Sequence, residues 1–151
     1  HPALAALGAL INAAIRDSAA FFRQSGLAAH PVMARAAERW TLRVWGTVLG
    51  PGGHQAPHMH PLGWLSGAYY VRVPDDMQPM PGSSDPALIA GALEFGRPPE
   101  RLLINAPAEV RVVEPRAGRL ALFPSAFYHR TIPFTSGTRR ISIAFDAMPL
   151  R

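Results

Sequence analysis

The sequence contains no cysteine, which excludes disulfides, thiolate zinc sites, iron–sulfur clusters and thiol nucleophiles together. Any metal site must be built from histidines and carboxylates. Lysine is absent as well: all 15 basic residues are Arg, set against 10 acidic residues for a formal charge of +5. These arginines are scattered from Arg16 to Arg151, with no dense run interleaved with aromatics, so nucleic acid is not an expected partner. No uninterrupted apolar run reaches the roughly 20 residues that cross a bilayer, and the N-terminus lacks the basic segment and apolar stretch of a signal peptide. The expectation is a cytoplasmic protein with no membrane partner. Also missing are a G-x-S-x-G elbow, a Walker loop and a dinucleotide-binding glycine fingerprint.

What is present is a chain of 151 residues, of a length for one domain, with 16 Pro and 13 Gly punctuating short apolar segments. Its first residue is His1 rather than Met, and whether residues precede it in the natural polypeptide is open. Leu4, Leu7, Ile11, Ile15 and Phe22 follow helical spacing, so an amphipathic helix is predicted from Pro2 to about Arg23, ending near Ser25-Gly26. A second short helix is expected around Val32–Glu38. After Arg39 the texture changes to alternating segments separated by Gly and Pro, the mark of antiparallel β structure. Strands are expected at Trp40–Leu49, His54–His60, Leu65–Val73, Ala92–Phe95, Glu109–Val113, Arg119–Phe123, Phe127–Pro133 and Arg139–Asp146. Eight short strands suggest a jelly roll or barrel. Residues 1–39 would form a helical buttress and residues 40–151 the β core of one structural domain, with Pro74–Pro86 a long loop of the kind that forms lids.

Three of the 6 histidines fall within GGHQAPHMHP. In an extended strand His58 and His60 point to one face and can reach one metal ion, but a clip of two ligands needs a third. His129, in FPSAFYHRTIPF, is the histidine that a rolled sheet would bring back to them. Downstream, alternation in RRISIAFD places Arg140, Ser142 and Ala144 on one face. A guanidinium followed by a hydroxyl is suited to gripping a carboxylate. The same alternation places Ser66, Ala68 and Tyr70 together on the strand from Leu65.

The succession PGGHQAPHMHP–GWLSGAYYVRVP, GALEFGRPP, EPRAGRLALFPSAFYHRTIPF and GTRRISIAFDAMP resembles the 2-oxoglutarate/Fe(II) oxygenases often found behind tetratricopeptide repeats. The resemblance covers roughly Arg43 to Pro149. It implies a mainly β, cupin-like double-stranded β-helix, with N-terminal helices packed on one sheet. It implies Fe(II) held by His58, His60 and His129, with 2-oxoglutarate and O2 as cosubstrates. Arg140 would hold the far carboxylate of 2-oxoglutarate with Ser142 and Tyr70 assisting, and Ser66 follows from strand alternation alone. His54 is expected near the site but outside the ligand set, while Trp64, Tyr69 and Phe127 could border a substrate pocket. His60 departs from the superfamily, where most members carry Asp or Glu, and an all-His triad is one unit more positive. Such a triad also suits zinc, nickel or copper. The alternatives are a three-His zinc hydrolase or hydrase and a noncatalytic cupin-like binding domain; the Arg140-x-Ser142 element speaks against the zinc enzyme. The implied reaction hydroxylates a C–H bond of a protein, peptide or small molecule, releasing succinate and CO2. Fusion to repeat domains is part of the same implication.

Overall fold

Residues 1–75 and 89–150 are described by the structure, a computed structural model. An α-helix, α1 (Pro2–Gln24), opens the chain, its first turn started by Pro2 and capped by the His1 ring, which accepts a hydrogen bond from the Ala3 amide. It ends at Ser25, and Gly26 follows with a positive φ of 72°, the left-handed conformation a side chain would resist. The second helix is shorter than expected, a 3₁₀ turn at Pro31–Arg35 rather than a helix to Glu38.

Seven strands follow among the described residues: β1 (Trp40–Leu49), β2 (Leu65–Arg72), β3 (Leu93–Phe95), β4 (Arg111–Val113), β5 (Leu120–Pro124), β6 (His129–Thr131) and β7 (Arg140–Pro149). They form two antiparallel sheets, one in the order β1-β7-β2-β5 and the other β4-β3-β6. The expected strand His54–His60 is not formed. Pro57 and Pro61 lack the N–H that a ladder needs, and this segment touches a strand only through a bridge between His58 and His129. The Pro74–Pro86 loop lies outside the described residues from position 76 onward.

Strand alternation splits the interior into two layers. On one face of the larger sheet Phe145 and Ala147 of β7 and Leu65 of β2 meet Ile11, Ile15 and Ala19 of α1, with Val32 and Trp64 completing the cluster. Burying Ile11 or Ile15 is worth about 1.5–3 kcal/mol each, which is why the helix lies on this sheet. By length and composition alone α1 is also apolar enough to cross a membrane, contrary to the expectation that no segment is. On the other face Tyr70, Ala121 and Phe123 meet Leu93, Phe95 and Val113 of the smaller sheet. The even-numbered residues of β7 also point to this side, and they furnish the site.

Candidate metal centre

His58, His60 and His129 converge, with one ring nitrogen from each lying within 4.8 Å of the others. The Nδ1 atoms are all occupied. That of His58 lies 2.7 Å from the Ala56 carbonyl oxygen, that of His129 lies 3.0 Å from the Phe127 carbonyl oxygen, and that of His60 lies 2.5 Å from Asp146 Oδ1. Carbonyl and carboxylate oxygens only accept, so a neutral ring in each place carries its proton on Nδ1. Nε2 is then the nitrogen with a free lone pair in all three rings, a donor set that suits first-row divalent metals. His129 is the most buried of them, at 7% exposure, with its ring against Phe123 and Phe95. Burial, reinforced by the neighbouring His58 and His60, pushes its pKa down to about 4, which keeps the ring neutral and able to bind metal across the neutral range.

The cavity beside the rings is lined by Trp45, Gln55, Ser142, Arg140 and Ala144, among others. It encloses about 30 Å³. At its far side the Arg140 guanidinium carbon stands 4.9 Å from the centroid of the Tyr70 ring. Arg140 Nε and Tyr70 Oη are both buried and neither completes a well-formed hydrogen bond, although the guanidinium and the phenol interact with one another. Two under-satisfied polar groups on adjacent strands, one of them cationic, form a place for an anionic oxygen ligand. Ser142, buried at 3% exposure, is the register partner of Tyr70 and shares its face. Burial raises the Tyr70 pKa, only partly opposed by Arg140, so the hydroxyl stays protonated and able to donate.

Not every expected residue is placed as expected. Ser66 shares the face, but its hydroxyl is engaged at 2.6 Å by Asp146 and at 2.7 Å by Ser125, away from Arg140. His54 is exposed, with Nδ1 near the Gly52 carbonyl, and stays outside the cluster. Trp64 belongs to the core under α1, whereas the half-exposed Phe127 flanks an apolar groove with Phe95. The residue the sequence reading missed is Asp146. It continues the alternation Arg140, Ser142, Ala144 by one step, a signal that places it on the site's face without naming its partner. Burial raises the Asp146 pKa, but hydrogen bonds from His60 and Ser66 outweigh burial and hold the carboxyl below its ordinary value.

Residues 43–146 match the model of a protein family described as "Putative 2OG-Fe(II) oxygenase". A PKHD-type hydroxylase of Parvibaculum lavamentivorans is 41% identical over 56 residues, which cover 34% of this chain and 26% of that protein. The crystal structure of a Pseudomonas putida prolyl-4-hydroxylase superposes with a TM-score of 0.52 at 17% identity, covering 84% of this chain and 61% of that one. The second likeness is one of fold. The chain therefore spans about a quarter of the curated relative and under two thirds of the structural one.

Proposed function

Because the chain belongs to the 2OG-Fe(II) oxygenase family by its match over residues 43–146, we propose that it is an Fe(II)- and 2-oxoglutarate-dependent dioxygenase hydroxylating a C–H bond. The two antiparallel sheets are read as those of a double-stranded β-helix, the jelly-roll form implied by the resemblance, with residues 1–39 as its buttress. The observation that carries the proposal is a three-imidazole donor set and the buried Arg140 lining one cavity, with Arg140 Nε left without a hydrogen bond and the Tyr70 ring beside its guanidinium.

His58, His60 and His129 would hold Fe(II), leaving positions for a chelating oxo-acid and dioxygen. When bound, the metal supplies the oxidative chemistry by which 2-oxoglutarate and O2 become succinate and CO2 while one oxygen atom enters the substrate C–H bond. The protein's own part is placement. Arg140 pairs with the carboxylate far from the metal, Ser142 and Tyr70 donate hydrogen bonds to it, and the neutral His129 ring need lose no proton to bind the ion. The substrate class remains a protein, a peptide or a small molecule, in a cytoplasmic setting. Both similar proteins are named as hydroxylases, which supports hydroxylation.

The test is an anaerobic titration of the metal-free protein with Fe(II), then 2-oxoglutarate, followed by visible spectroscopy. A metal-to-ligand charge-transfer band that saturates with 2-oxoglutarate is expected. Tight zinc binding with no such band overturns the proposal.

A further inference from the structure

An all-imidazole ligand set lacks the negative charge that a carboxylate ligand brings, and His60 stands at the position where that carboxylate is expected. The structure contains a carboxylate one step further out. Asp146 Oδ1 lies 2.5 Å from His60 Nδ1, with both side chains largely buried, at 17% and 12% exposure for His60 and Asp146. Four segments meet to build this contact. Asp146 on β7 is the direct register partner of Ser66 on β2, and Ser66 reaches the same Oδ1 at 2.6 Å. A carboxylate only accepts, so Ser66 must donate to Asp146, and Ser125, 2.7 Å from Ser66 Oγ, must then donate to Ser66. Ser125 also fixes the histidine's backbone, since the His60 amide donates to the Ser125 carbonyl at 2.9 Å. The close approach requires Gly63, because a Cβ there would stand 2.5 Å from Ser125 Oγ. Arg43, the partner of Asp146 on β1, makes no ion pair with it, so the carboxylate's charge is directed at His60.

We propose that Asp146 is a positioning residue for His60: it fixes the ring with its proton on Nδ1 and Nε2 toward the metal, and supplies from outside the ligand set the charge that the all-His triad lacks. Ser66 and Ser125 hold Asp146 in that orientation. Outer carboxylates of this kind raise the basicity of a ligating imidazole and commonly govern metal affinity. The inference rests on the metal-binding reading of the histidines, and its test separates the two.

The test is titration of the metal-free full chain with Co(II), reading both the dissociation constant and the visible d–d spectrum. Wild type, Asp146→Asn, Asp146→Ala and the same asparagine change in a His60→Asp background are compared. Asp146→Ala is expected to weaken Co(II) binding by about 10–100-fold with an altered spectrum. Asp146→Asn keeps an acceptor but loses the charge, and should fall between alanine and wild type. With His60→Asp, where the carboxylate is itself a ligand, Asp146→Asn should cost nothing or tighten binding. A purely structural role predicts the same loss in both backgrounds, and that result overturns the proposal, as does wild-type affinity in both single variants. If Asp146→Ala fails to fold, Ser66→Ala replaces it, with an expected weakening of about 2–10-fold and unchanged affinity counting against the proposal. Absence of Co(II) binding by wild type overturns the metal site itself, and this inference with it.

Discussion

His58 and His129 are joined by two reciprocal backbone hydrogen bonds: the His58 amide donates to the His129 carbonyl at 3.0 Å and the His129 amide donates back at 2.9 Å. Their rings lie 4.3 Å apart between centroids, so two residues 71 positions apart in sequence are held as a pair before any ligand arrives. Backbone atoms alone make this link. Replacing either side chain should therefore remove metal binding without parting the segments. His58→Ala is expected to abolish high-affinity Fe(II) binding, measured anaerobically, with a stability change within about 0.5 kcal/mol because the ring is half-buried at most. His129→Ala should abolish binding too but lower the melting temperature, since its ring fills space against Phe123. Retention of stoichiometric Fe(II) by His58→Ala would refute the ligand assignment.

Tyr70 and Arg140 lead to a prediction with two opposite signs. The Tyr70 hydroxyl is buried and completes no well-formed hydrogen bond, its interaction with the Arg140 guanidinium being too poorly aligned to count as one, so it costs stability in the absence of ligand. Tyr70→Phe should raise the melting temperature of the ligand-free protein while weakening 2-oxoglutarate binding by about 2–10-fold. Arg140→Ala should leave metal binding intact and weaken 2-oxoglutarate by about 10–150-fold, the range for a charged hydrogen-bonding partner. Calorimetric titration of the Mn(II)-loaded protein reads both. A destabilised Tyr70→Phe with unaltered 2-oxoglutarate binding would show that the hydroxyl has a structural partner and no ligand role.

How far these relationships could be read from the sequence depended on whether they follow a local period. The ends of α1 and all of β1 were legible because spacing and Gly26 mark them, and β7 was legible except for the extra length that pairing with Trp40, Thr41 and Leu42 gives it. The alternation Arg140, Ser142 on one face was legible for the same reason. The segment His54–His60 misled because the i, i+2 spacing of His58 and His60 suggests a strand while Pro57 and Pro61 deny it ladder donors. Ser66 misled differently: its face was correct, yet alternation does not say which of two neighbours on that face, Arg140 or Asp146, takes the hydroxyl. The pairing of Asp146 with His60 spans 86 positions, and no local pattern encodes it.

Acid should affect the metal-free protein through His129. Its pKa lies at about 4 in the folded chain against an ordinary value near 6.5, so the unfolded chain binds the proton first as pH falls. Stability from this group is fully present above about pH 6.5 and is lost as pH falls towards about 4, below which no further loss arises from it. The loss is on the order of a few kcal/mol. Urea unfolding of the metal-free protein at pH 7.5 and pH 4.5 should show it, and His129→Phe should flatten the slope over that interval. An unchanged slope would mean that His129 is not buried as a neutral ring.

Gly67 tests the layering that carries the site. It lies in the middle of β2 opposite Phe145, and a Cβ at this position would stand 2.3 Å from the tip of the Phe145 ring and 2.5 Å from the Ala121 carbonyl oxygen. One of these neighbours is backbone, so turning the ring alone does not relieve the clash and the strands must shift as well. Phe145 is fully buried under α1 and sits in β7 between Ala144 and Asp146, which face the site. A shift of the ring would therefore turn the strand that carries Asp146 and Arg140. Gly67→Ala is expected to cost about 1–3 kcal/mol of stability and also to weaken metal binding, although residue 67 is not a proposed ligand and lines the cavity without a side chain. Chemical denaturation together with Co(II) titration reads both quantities. Loss of stability with full metal affinity would show that the helix layer and the site layer of the sheet are independent, and would limit the role of Phe145 to the core.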